Sequence, residues 1–125
     1  MNTLSGWLLI ILSALFDSYA AFIVKMKFNE LGPIPFHSLP VFVEYLIKFI
    51  KNPLLVTALI TFLAAPGLWF LALNRVNLSV GYPTLVAFHL FFVLVFGVGF
   101  LGESLTFHRI AGIALISLGL FFLNT

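Results

Sequence analysis

The chain has 125 residues, of which 62% are hydrophobic and 8% charged, and its mean hydropathy is +1.21. So few charges cannot cover a solvated surface, which excludes a soluble single domain and makes the class membrane. The net charge of +2 is too small for nucleic-acid binding, and the lack of cysteine removes disulfides, thiolate metal sites and cysteine nucleophiles.

A spanning helix needs about 20 mostly apolar residues, because a rise of about 1.5 Å per residue must cover about 30 Å of hydrocarbon. Four stretches qualify, at about Gly6 to Met26, Pro53 to Leu73, Ser79 to Leu101 and Thr106 to Leu123. The expected fold is an all-α membrane protein, one four-helix transmembrane domain over residues 1–125. Span 1 has no basic leader or small-residue cleavage site and stays apolar to Val24, so it is expected to be retained. It should end at Lys25 and Lys27, whose stems can reach the headgroups, because Asn29 to Pro40 holds three prolines and a glycine.

Between spans 1 and 2, Glu44, Lys48 and Lys51 lie opposite Val41, Phe42, Tyr45, Leu46, Phe49 and Ile50. This pattern predicts an amphipathic helix at about 41–51, too short to span and lying in the interface plane, with Glu44 and Lys48 paired on its wet face. The alternative is a loop that merely avoids water. The short connections Asn74 to Leu78 and Gly102 to Leu105 predict that spans 2, 3 and 4 are sequential antiparallel neighbours. The first and third connections carry Lys25, Lys27, Lys48, Lys51 and Arg109, against Arg75 alone elsewhere. The positive-inside rule then puts those connections in the cytoplasm and both termini outside.

Asp17 sits midway along span 1, where an acidic side chain costs about 2.5 to 3.5 kcal/mol on the insertion scale. Protonation would remove the charge, and an acid that takes up and releases a proton can exchange it for a substrate. Ser13, Ala14, Ala20 and Ala21, on or near its face, leave room for a second helix or a ligand. The bland alternative is that Asp17 only hydrogen-bonds another helix. His89 lies midway along span 3, with Tyr82 and Val86 on the same stripe, and this stripe could face Asp17. The expected substrate- and proton-binding cavity is therefore lined by Asp17, Tyr82 and His89, with Ser13 at its edge. No metal is implied, because His37 and His108 belong to connections and one histidine with one aspartate is too few ligands. No cofactor is implied.

Span 2 carries Ala64, Ala65, Pro66 and Gly67 at its centre, and Pro66 cannot donate to Phe62, so a hinge is expected at Pro66 and Gly67. Span 4 has no deep charge and puts Gly112 and Gly119 on one face, the kind of small-residue seam that associates helices in lipid, so a dimer contact is expected there.

The tract Ala72-Leu-Asn-Arg-Val-Asn-Leu-Ser-Val-Gly-Tyr-Pro83, with Gly102-Glu-Ser-Leu105 and Gly112-Ile-Ala-Leu-Ile-Ser-Leu-Gly119, resembles the drug/metabolite transporter superfamily over spans 2 to 4. Asp17, eight residues before Lys25, is similar to the small multidrug resistance family, where a membrane glutamate precedes a lysine by that interval. The resemblance implies that Asp17 binds protons and a cationic substrate and that Tyr82 is an aromatic lining the site. Two positions depart from the pattern: the acid is aspartate, and Leu85 stands where the site tryptophan is expected, which removes a strong cation–π surface. The Tyr82-Pro83 pair and the long, proline-containing first connection look more like the small flippase subunits that move aminoarabinose-phosphoundecaprenol.

The resemblance implies a transporter or flippase in a prokaryotic cytoplasmic membrane, moving an amphipathic substrate such as a polyprenyl-phosphate-linked sugar. Its expected partners are membrane lipid, that substrate, and a second copy or a similar small subunit, because related ten-helix transporters use two inverted halves. The alternatives are a proton-coupled exporter of cationic aromatic compounds and a non-transporting membrane subunit. An enzyme is not expected, since no nucleophile and base are spaced in a recognisable signature.

Overall fold

The computed structural model of the protein describes residues 3 to 124, which form five α-helices and no strand. Helix α1 covers Thr3–Leu31, α2 Leu39–Lys51, α3 Pro53–Leu73, α4 Leu78–Gly99 and α5 Phe107–Leu123. By length and composition α1, α3 and α4 can cross a membrane. The fourth expected span, α5, has 17 residues, about 26 Å at 1.5 Å per residue and so somewhat short of the hydrocarbon thickness.

The helix ends have local causes. Contrary to expectation, α1 does not stop at Lys25 and Lys27 but runs on to Leu31, since Lys27 pairs with Glu30 at 2.9 Å and none of these residues breaks a helix. It stops where Gly32 adopts φ +85° and donates its N–H to the Phe28 carbonyl at 2.9 Å, a left-handed cap that a residue with a Cβ would resist. Pro40 does not interrupt the next segment but lies in the first turn of α2, where a missing N–H costs nothing. Asn52 then caps α3, its side chain accepting from the Leu54 N–H at 3.0 Å, with Pro53 as the first helical residue. Both Pro66 and Pro83 sit inside unbroken helices.

The core is a seam of small residues between α1 and α3. Gly6, Ser13 and Ala20 on α1 and Ala58, Ala65 and Ala72 on α3 are all buried, each set spaced by seven residues. The two sets run antiparallel: Gly6 lies beside Arg75 and Val76, Ser13 Oγ donates to the Ala65 carbonyl at 2.8 Å, and Ala20 joins Ala58 in a cluster with Ile23 and Leu55. Small side chains let the backbones approach, which is the main source of helix association in lipid. Towards its other side α1 runs parallel with α4, as Ile10 near Gly81, Ser18 at His89 and the stacked rings of Phe22 and Phe96 show.

Helix α1 therefore stands between α3 and α4, which touch little, with the Trp69 and Tyr82 rings 6.0 Å apart beside their connection. Helices α3 and α4 therefore run antiparallel, but they are not the close neighbours expected of them, because the first span lies between them and does most of the packing. Helix α5 meets α4 alone and has no buried residue.

Close approach at Gly6 yields a stability prediction. A Cβ there would lie 2.7 Å from Val76 Cγ2 and 3.0 Å from Arg75 Cβ, whereas one at Gly67 would meet nothing within 4 Å. Gly6→Ala should lower the unfolding free energy in detergent by about 1–3 kcal/mol through overpacking. Gly67→Ala should leave it unchanged or slightly raised, and SDS-titrated unfolding followed by circular dichroism compares the two.

Candidate functional site

Asp17 is the middle residue of the 29 in α1. It follows Ser13 by four residues and precedes Ala20 by three, which places it at the margin of the stripe that packs on α3. Its carboxylate Oδ2 lies 3.0 Å from His89 Nδ1 on α4. That ring nitrogen donates whenever it carries a proton, in the neutral tautomer or the imidazolium alike. Beside it, Ser18 Oγ points to the His89 backbone carbonyl at 3.4 Å. The pair is not sealed: the side chains of His89 and Asp17 are 35% and 38% exposed.

The opening at Asp17 is a cavity of about 450 Å³. Asp17, Ala20, Ala21 and Val24 form its α1 wall, at the three- and four-residue steps of one helical face. The α3 wall runs from Leu55 to Phe62, and Leu46, Phe49 and Ile50 of α2 close one side. Helix α2 is held over α1 by the Tyr45 hydroxyl, which donates to the Gly32 carbonyl at 2.7 Å, and by the Phe28 and Phe49 rings, 5.5 Å apart. Its charged pair, Glu44 and Lys48, lies exposed on the opposite side at 3.8 Å. Asp17 is the one ionisable residue in this cavity wall. Such a site can solvate an apolar chain and hold one hydrogen-bond donor or cation at its polar point.

The other expected site residues divide. His89 joins Asp17 directly, although it does not itself line the cavity. Ser13 is buried with its hydroxyl committed to Ala65, so it belongs to the α1–α3 seam and not to the cavity edge. Tyr82 is 56% exposed against Trp69, away from the cavity. The reason is the axial rise: seven residues along α4 separate Tyr82 from His89 by about 10 Å even though they share a stripe. Pro66 is exposed, Gly67 faces open space, and α3 passes through both without a break. A Cβ at Gly112 or Gly119 would likewise meet nothing within 4 Å. His108 falls in the first turn of α5, not in a connection. Among the described residues no three His, Cys, Asp or Glu side chains come together.

Two groups escaped sequence reasoning. The Tyr19 and Thr57 hydroxyls, 2.8 Å apart, tie α1 to α3 near the cavity. Glu103 folds back over Gly97, where a Cβ would come within 2.8 Å of its Oε2. A polar pair at matching depths of antiparallel spans could have flagged the first; nothing local in the sequence signals the second.

Comparison of the chain with protein-family models, curated proteins and solved structures gave no match.

If Asp17 and His89 act as one unit, their substitutions should not add. A double-mutant cycle of Asp17→Asn and His89→Ala, measured by unfolding in detergent, should give a coupling of roughly 0.6 to 1.7 kcal/mol, the range of hydrogen bonds between spanning helices. Additive losses would mean that the 3.0 Å approach carries no energy.

Proposed function

We propose that the protein is a membrane transporter or flippase of an amphipathic substrate, of the class of polyprenyl-phosphate-linked sugars, and that it works as a dimer. The observation that carries this reading is a single acid, at the middle of a membrane-length helix, exposed on the wall of a 450 Å³ apolar cavity. An acid there is costly, and a purely structural pair would be expected to be dry. The apolar walls suit a hydrocarbon tail, and the carboxylate suits a hydroxyl or amine of the headgroup. Helix α2, apolar towards the cavity and charged on its outer side, suits an interfacial position where a tail could enter from the bilayer.

Helix α5 is the fourth span in this reading. Its 17 residues reach across with local thinning of the bilayer, and its uncovered surface, including Gly112 and Gly119, is where a second copy or a similar small subunit docks. The exporter alternative gains less support, because the cavity wall holds no Trp or Tyr, its aromatics being Phe49 and Phe62, and the Trp69–Tyr82 pair lies outside it. The Asp17–His89 contact does favour one second reading, a non-transporting subunit in which the pair is only a latch.

Asp17→Asn separates these readings, since the amide is nearly isosteric but cannot release a proton. Translocation of a fluorescent lipid-linked sugar across proteoliposomes should be abolished while insertion and assembly persist. Unaltered translocation would reduce the pair to a latch, and acid-driven uptake of an organic cation, lost in the same variant, would establish the exporter instead. For assembly, Gly112→Leu or Gly119→Leu should convert the dimer to monomer in mild detergent, because a branched side chain forces the backbones apart. A dimer that survives both changes would move the contact off α5.

A further inference from the structure

A second cavity, of about 140 Å³, lies in the seam between α1 and α4. Its α1 wall runs from Ser18 through Ala21 and Phe22 to Lys25, and its α4 side ends at Gly97 with Glu103 beyond. Ser18 to Lys25 spans seven residues, about 10 Å of helix, so the cavity extends from the level next to Asp17 towards the end of the bundle. The polar character is at its two ends. Ser18, itself 1% exposed, sits at the inner end, and the oppositely charged Lys25 and Glu103 sit at the outer one.

Backbone geometry holds Glu103 there. After α4 ends at Gly99 the chain turns back, with the Leu101 N–H bonding the Phe96 carbonyl at 3.1 Å and the Glu103 N–H bonding the Gly97 carbonyl at 3.0 Å. Gly102 takes φ +70° in this turn, and the missing Cβ of Gly97 leaves the space that the Glu103 carboxylate occupies. A charged side chain at the end of a spanning helix favours hydration of the space beside it.

We infer that this second cavity is a water-reached vestibule, with Glu103 and Lys25 at its mouth and Ser18 at its floor, that supplies protons to the Asp17–His89 pair by a route separate from the apolar cavity. Ala21 lines both spaces and forms the wall between them. A proton arriving as hydronium leaves water at the floor and adds to the pair one residue away; release reverses the step. The titratable groups lining the route are Glu103 and Lys25 at its mouth; Asp17 and His89 lie beyond its floor, next to Ser18, whose hydroxyl meets the His89 carbonyl. The use of those protons rests on the transport reading; the presence of water does not.

The natural absence of cysteine makes the vestibule directly testable. Ser18→Cys and, on the α4 wall, Val93→Cys would be exposed in proteoliposomes to silver ion, a probe small enough for the seam, added from the side that carries Glu103. Modification would be read by loss of maleimide labelling after denaturation. Ile10→Cys, buried on α1 outside both cavities, is the reference. Both test thiols should react at least about tenfold faster than the reference, as expected for a focused aqueous site. Adding Glu103→Gln, or Gly97→Ala to push the carboxylate aside, should slow silver on the order of threefold, and Lys25→Gln should speed it, since one removes an attracting charge and the other a repelling one. Rates equal to the Ile10→Cys reference, or rates indifferent to all three mouth variants, would overturn the vestibule. Because labelling involves no substrate, loss of the transport reading through Asp17→Asn would leave these rates untouched.

Discussion

In lipid, no hydrophobic force separates a helix that faces a neighbour from one that faces acyl chains, so helices associate where their backbones can come close. In this protein that place is the ladder of Gly6, Ser13 and Ala20 against Ala72, Ala65 and Ala58, with the Ser13 hydroxyl bonded to the Ala65 carbonyl in the middle. The seven-residue spacing on both sides sets the rotation of α1 as well as its partner. Once that rotation is set, Ala14 and Ser18 turn towards α4, and Asp17 falls between the two stripes. The position of the acid, at the margin of a packed seam and not inside it, follows from the small residues around it.

An acid at that position has few options. Facing lipid would cost about 2.5 to 3.5 kcal/mol on the insertion scale, and the α3 side offers a seam too tight to receive a carboxylate. His89 supplies a donor at 3.0 Å from α4, and the remaining exposure is to the cavity under α2. This explains why α1 must touch both α3 and α4 while those two scarcely touch each other. Packing α3 on α4 directly would close the gap that lets the carboxylate reach a partner on one side and an open space on the other.

Much of this was legible from residue types. Hydropathy locates the three membrane-length helices, and the cost of a mid-membrane acid points from Asp17 to His89 without any contact being known. The heptad of Gly6, Ser13 and Ala20 is equally visible, yet near Asp17 the sequence presents Ser13 as a cavity edge and Ala20 as room, because it does not say which helix fills that room. Tyr82 was drawn into the cavity by its angular position, although angle without depth does not bring two side chains together. The end of α1 was misplaced because Lys25 and Lys27 look like a boundary, whereas the stop depends on the positive φ of Gly32. Glu103 over Gly97 arises from a turn between helices, where hydropathy and periodicity carry no signal.

The two cavities meet the acid's neighbourhood on opposite sides of Ala21, and their chemistries differ in a way that bears on coupling. An apolar space can admit a hydrocarbon chain but conducts protons poorly; a narrow seam ending in Lys25, Glu103 and Ser18 can hold water but not a chain. A donor that reaches Asp17 from the apolar side can share the carboxylate with the His89 ring, which lies on Oδ2 and leaves other acceptor sites open. In the proposed mechanism a proton added to the carboxylate weakens its hold on the headgroup hydroxyl or amine, and a protonated ring strengthens the internal pair at the substrate's expense. Either protonation favours release. Exchange of substrate for proton at this pair, as proposed, therefore requires no large rearrangement of α1 against α3, and the tight small-residue seam can remain intact throughout the cycle.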